Sequence, residues 1–147
     1  MDERPNSFRE ILQRLEVTPS IDEKEQIVRK YLVRLQEKAI PSPLVGIQGA
    51  TFIYYGTPFA DVRVIGDFTD WGNSPVRLSP VDGVPLYHAF VEFPIDARVE
   101  YKLLVNGHGM DDSFNGRLID NGVGGTNNFF TMPEYVSCPA ASYYPEI

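Results

Sequence analysis

The residues able to do chemistry are few, and their spacing does not assemble a reaction centre. His88 falls inside an alternating apolar stretch, and its spacing to the serines argues for no nucleophile–base pair. His108, Asp111 and Asp112 cluster around a hairpin and could in principle ligate a divalent ion. Polar groups so placed are more often solvated, and no metal is expected. The lone cysteine, Cys138, can form neither an internal disulfide nor a cysteine-based zinc site. There is no Gly-x-Ser-x-Gly elbow, no phosphate-binding Gly-x-x-x-x-Gly-Lys-Ser/Thr loop and no Gly-x-Gly-x-x-Gly. The glycine-rich "NGVGGTNN" leads into a strand with no helix behind it, so it reads as a loop needing backbone freedom. Carboxylates are abundant enough for a glycosidase-like pair, but nothing marks a cleft to hold one. No catalytic residue is expected in this chain, and no cofactor.

The elements around these residues fall into two regions with different periods. Up to about residue 41 the pattern is helical. Phe8, Ile11, Leu12 and Leu15 recur on one face, after a Ser7…Glu10 capping arrangement, and predict a helix over 7–16. Thr18-Pro19 breaks it. Ser20…Glu23 repeats the capping signal, and Ile27, Val28, Tyr31, Leu32 and Leu35 form the stripe of a second helix over 21–39. Two short helices bury little alone, so this stripe needs a partner surface in this domain or in another. Ile27, Tyr31 and Leu35 are therefore candidate interface residues. Arg29, Lys30 and Arg34 read as its wet face.

From residue 50 the period becomes two. "ATFIYYG", "DVRVIGDF", a short "PVRLSP", "LYHAFVEF", "RVEYKLLV" and "NNFFTM" are strand candidates, six or seven in all. Val99, Tyr101, Leu103 and Val105 alternate with Arg98, Glu100 and Lys102. Asp82-Gly83 marks a turn, and Asn106-Gly107 marks a tight hairpin that needs positive φ at both positions. With no helix between strands, an antiparallel β-sandwich over 42–135 is expected, preceded by a helical hairpin over 1–41. Residues 136–147 carry prolines and no period, and read as a linker. Their apolar end at Ile147 suggests that a further domain follows.

Composition narrows the partners. The net charge is −7, against the clustered Lys and Arg that nucleic acid requires. No apolar run approaches the roughly 20 residues of a membrane-spanning helix, and "MDER" opens no secretory leader. With one cysteine, and no Asn-x-Ser/Thr acceptor with a permitted middle residue, a cytoplasmic location is expected.

The only tryptophan, Trp71, stands in the turn that closes "VRVIGDFTDW". That stretch, "VEYKLLVNG" and "GGTNNFF" occur in the order and spacing of the family 48 carbohydrate-binding modules, which they resemble. These are early-set immunoglobulin-like domains found in the AMP-activated protein kinase β subunit and in branching and debranching enzymes. The helical N-terminal segment, "SPLVGIQGATFIYYG", "DARVEYKLLVNG", "DDSFN" and above all "TNNFFTMPEY" look like a closer relative. They resemble the N-terminal domain of esterases of the enterochelin-esterase type, with Ser113 in place of a usual proline. That resemblance covers nearly the whole chain.

The resemblances imply three readings. In the first, the chain is a non-catalytic accessory domain that orients a C-terminal α/β-hydrolase domain in cis, shapes access to its active site, or mediates a homodimer. Trp71 then joins the interface candidates. In the second, it is an α-glucan-binding module in which Trp71 stacks on a sugar ring and Lys102 and Asn127 hydrogen-bond the hydroxyls. The family's second tryptophan falls at Gly109, which offers no ring, and a neutral glucan depends on such flat contacts. In the third, it is a regulatory scaffold subunit docking through its helices.

Overall fold

The computed structural model describes residues 7–37 and 42–137. Helix α1 runs Ser7–Val17 and α2 Ile21–Gln36, followed by ten strands in two antiparallel sheets. The capping expectation at Ser20 holds. Its backbone is extended (φ −85°, ψ 129°), and its hydroxyl accepts the Glu23 N–H at 3.3 Å. Helix α1 already begins at Ser7, the first described residue, so a cap for it lies outside the described residues. Helix α2 ends at Gln36 with Glu37 as C-cap; residues 38 and 39 of the expected helix lie outside the described residues.

The smaller sheet has the order β1 (Leu44–Val45), β2 (Gly49–Tyr55), β6 (Leu86–Glu92), β5 (Ser79–Pro80). The larger has the order β4 (Val76–Arg77), β3 (Val62–Gly66), β7 (Arg98–Val105), β10 (Thr126–Thr131), β9 (Leu118–Asp120). Strand β8 (His108–Met110) adds to β7 through the Asn106-Gly107 hairpin, where φ is 53° and 84°. "PVRLSP" is divided between the sheets: β4 lies in one, β5 in the other, and Leu78 between them is buried in the core. Strands β1, β8 and β9 have two or three residues each, too short to show a period.

Between the sheets, Val62, Val64, Val99, Tyr101, Leu103 and Val105 meet Phe52, Tyr87, Phe93 and Phe130. The Phe52 and Tyr101 rings sit edge to face at 5.0 Å. The other face of the smaller sheet is apolar too. Ile53, Val84 and Leu86 bury against Phe8, Ile11, Leu15, Val28, Tyr31, Leu32 and Leu35. Phe52 and Ile53, on opposite faces of β2, are both fully buried, which is why "ATFIYY" shows no apolar–polar alternation. The helical stripe therefore finds its partner surface within this domain. Tyr31 and Leu35 are 3% and 4% exposed, so neither is available to another domain, and Ile27 is partly buried beside them.

Candidate functional site

Three layers result: helices, smaller sheet, larger sheet. Trp71 follows β3, Lys102 lies on β7 and Asn127 on β10, three neighbouring strands of the larger sheet. Trp71 sits in the 3-10 helix Asp67–Gly72 that follows β3. Asp70 and Trp71 adopt left-handed φ of 52° and 51°, a conformation costing about 1 kcal/mol or more per residue outside glycine. Gly66 opens this turn because a Cβ there would lie 2.4 Å from the Glu100 carbonyl oxygen. The Trp71 indole N–H donates to Asp67 Oδ1 at 3.2 Å, and Asp67 Oδ2 accepts the Glu100 N–H at 2.9 Å. The ring is thus clamped to β7 while 42% of the residue stays exposed.

Glu100 joins the next members. Asn127 Nδ2 donates to Glu100 Oε1 at 3.2 Å, and Arg98 pairs with Oε2 at 2.9 Å. The Arg98 hydrogen bond holds the Glu100 carboxyl below its usual range, against a smaller upward push from burial. Lys102 Nζ donates to Asp111 Oδ1 at 2.9 Å and to the Thr126 carbonyl at 2.5 Å, leaving one of its three N–H donors. Burial pushes Asp111 up, but hydrogen bonds from Lys102 and Thr126 leave its carboxyl below the ordinary value. Asn127 is 7% exposed. Trp71 offers a platform, whereas Lys102 and Asn127 are largely committed to protein partners.

Gly109 lies on β8. A Cβ there would meet Lys102 and Leu104 side-chain carbons at 3.7–3.9 Å, ordinary contact distances, so the backbone accepts a Cβ without strain. Phe129 carries two guanidinium groups, Arg98 at 4.8 Å and Arg117 at 5.1 Å from its centroid. Sequence reasoning missed this stack because Arg117 precedes a strand too short to show a pattern.

The hairpin cluster His108, Asp111 and Asp112 does not converge as a metal site; Asp111 stays partly exposed, but Asp112 is not a solvated polar group. Asp111 is taken by Lys102, and Asp112 is buried beneath the sheet end. Asp112 Oδ2 accepts the Ser42 hydroxyl at 2.8 Å and the Tyr101 hydroxyl at 2.7 Å; Oδ1 accepts the Phe114 N–H at 2.9 Å. Asn115 and Asn128 complete this network through Tyr101, the Phe129 carbonyl and the 112–115 backbone. Burial pushes the Asp112 carboxyl up despite these bonds, and burial with the adjacent Asp112 charge raises the Tyr101 phenol well above its ordinary value. Among the described residues, no three His, Cys, Asp or Glu side chains group to hold a metal. His88 is half-buried with its ring edge-on to Phe8 at 5.4 Å, and burial lowers its pKa. The former cluster ties the "DDSFN" loop to β7 and to residue 42; the latter packs a helix.

No family model and no curated protein matches this sequence. Solved structures do. An enterochelin esterase from Shigella flexneri superposes with a TM-score of 0.57 at 14% identity, over 75% of this chain and 37% of its own. A ferric enterobactin esterase from Salmonella typhimurium gives 0.52 at 12% identity, over 64% of this chain and 33% of its own. The chain shares its fold with part of these esterases. It spans about a third of their length. Among the described residues, no helix is long and apolar enough to cross a membrane.

Proposed function

We propose that this chain is the non-catalytic, immunoglobulin-like accessory domain of a serine esterase of the enterochelin-esterase type, with the nucleophile on a hydrolase domain outside residues 1–147. The observation that carries this reading is the partial overlap: up to 75% of this chain matches only 31–37% of each esterase. Nothing on the described surface assembles a nucleophile, a base and an oxyanion donor. The partly exposed ring of Trp71, in the turn after β3, is the contact offered to that domain, where it would orient the hydrolase or border its active site. Purified residues 1–147 should not turn over p-nitrophenyl acetate, whereas the product of the complete reading frame should. Clear turnover by residues 1–147 that survives repurification would overturn the reading.

A second reading rests on a separate observation: Trp71 and Asn127 are linked through Asp67 and Glu100, and Lys102, next but one to Glu100 on β7, bonds the Thr126 carbonyl beside Asn127. That is an arrangement suited to an α-glucan, with Gly109 lacking the second ring. Retardation in a native gel containing glycogen, lost in Trp71→Ala, would support it. Gly109→Trp, at a position where a Cβ meets only ordinary contacts, should strengthen such binding. No retardation in either form removes it.

A further inference from the structure

The sequence contains three Asn-Gly pairs, at 106–107, 115–116 and 121–122. In such a pair the backbone nitrogen of the glycine can attack the asparagine side-chain carbon Cγ, because glycine has no side chain to block the approach. The reaction needs an acceptor for the proton on that nitrogen, donors for the charge that develops on the amide oxygen, and an unrestrained amide nitrogen to leave. The fold treats the three pairs differently.

Asn121-Gly122, in the loop between β9 and β10, meets each requirement. The Gly122 N–H donates to Asp120 Oδ1 at 2.8 Å. Asn121 Oδ1 accepts two backbone N–H groups, from Val123 at 2.9 Å and from Gly125 at 3.1 Å. No hydrogen bond holds Asn121 Nδ2 among the described residues. The Val123 bond makes an Asx turn, which folds the side chain back over the Gly122 peptide. Residues 122–125 are exposed, and a Cβ at Gly122 or Gly124 would meet nothing within 4 Å. Closing the ring then needs rotation about the bonds of Asn121 itself.

The other two pairs lack this set. Asn115 is 3% exposed, and its Nδ2, the group that must leave, donates to the Tyr101 hydroxyl at 3.1 Å and to the Phe129 carbonyl at 3.0 Å. Asn106 Oδ1 accepts a single N–H, at 3.0 Å, from Asp61 on a different loop. No described carboxylate accepts the N–H of Gly107 or Gly116.

We propose that Asn121-Gly122 is a self-modifying site, at which the fold promotes deamidation. The bond from Gly122 N to Asn121 Cγ forms as the nitrogen's proton passes to Asp120. Negative charge collects on Oδ1, between the Val123 and Gly125 N–H groups. The Cγ–Nδ2 bond then breaks, and Nδ2 takes the proton from Asp120 and leaves as ammonia. Water opens either C–N bond of the resulting cyclic imide, giving aspartate or isoaspartate at 121. The new carboxylate stands next to Asp120, whose strand partner Thr126 bonds both Lys102 and Asp111. This proposal does not depend on the accessory-domain reading.

Trypsin separates the pairs: Asn106 and Asn115 fall in the peptide 103–117, and Asn121 in 118–147. The folded protein is held at mildly alkaline pH, sampled over time, and digested for mass spectrometry, with fragmentation assigning each modified residue. The isolated 118–147 peptide is incubated alongside; it keeps the loop sequence but has no sheet to shape it. In the folded protein, position 121 should exchange ammonia for water severalfold faster than 106 or 115, and severalfold faster than in the isolated peptide. Isoaspartate should appear beside aspartate. Asp120→Ala, at an exposed position, should slow conversion severalfold while leaving the circular dichroism spectrum unchanged. Conversion no faster than in the isolated peptide, conversion first at 106 or 115, or a rate indifferent to Asp120→Ala each overturns the proposal.

Discussion

Asp112→Ala should be the most damaging single polar substitution in this fold. Three donors lose their acceptor at once: the Ser42 hydroxyl, the Tyr101 hydroxyl and the Phe114 N–H, at 2.7–2.9 Å. Ser42 and Tyr101 are fully buried, so water cannot replace the carboxylate without opening the loop. A hydrogen bond to a charged acceptor contributes roughly 1.5–3 kcal/mol, and each orphaned buried donor costs about as much as the bond it lost. Part of this is offset, because burying the carboxylate is itself unfavourable, as its raised pKa reports. The expected net loss is about 3–5 kcal/mol, a large share of the roughly 5–15 kcal/mol of a typical domain. At about 3 °C per kcal/mol for a chain of this size, the melting temperature should fall by about 10–15 °C. Urea unfolding followed by circular dichroism and by Trp71 fluorescence would measure it. Asp112→Asn, which keeps the shape and one acceptor, should fall between. A loss below about 1 kcal/mol for the alanine variant would refute the idea that this network ties the 111–117 loop to the sheet.

Other outcomes follow from the same contacts. Leu15→Ala, at a position 1% exposed between the helices and the smaller sheet, should cost about 2–4 kcal/mol; a loss under about 0.5 kcal/mol in chemical denaturation would mean that the helices do not dock there. The carboxylates give opposite pH signs. Glu100 and Asp111 have depressed pKa values in the fold, so their stabilisation is present above the unfolded carboxylate pKa and is lost as pH falls through the folded one. Asp112 has a raised pKa, so its protonated form favours the fold at low pH, and that contribution is lost as pH rises through the raised value. Glu100→Gln should therefore flatten the acid limb of the stability profile at a cost below about 1 kcal/mol near neutrality, and an unchanged acid limb would contradict this.

How much of this was legible in the sequence depended on the range of the interaction. Alternation in "RVEYKLLV" identified the inward set of β7 because each inward side chain meets one core. The Ser20 cap and the Asn106-Gly107 turn are local events whose chemistry lies within a few residues. "ATFIYY" hid its two-sided burial, because only the docked helices explain why both faces are apolar. The helical stripe was recognised but not its destination: a periodic pattern says that a face is buried, not against what. Asp112 read as a hairpin polar group because its partner Ser42 lies 70 residues away. The clustering of Trp71, Lys102 and Asn127 was implied by family resemblance. What resemblance could not convey is that Glu100 and Asp111 already occupy part of their hydrogen-bonding capacity.

The most direct test of the accessory-domain reading is to sequence the source gene past codon 147. The reading expects an open frame that continues into a segment of roughly 250 residues bearing a Gly-x-Ser-x-Gly elbow, followed in chain order by an acid and a histidine. A stop codon immediately after Ile147, or a continuation with no such elbow, would contradict it.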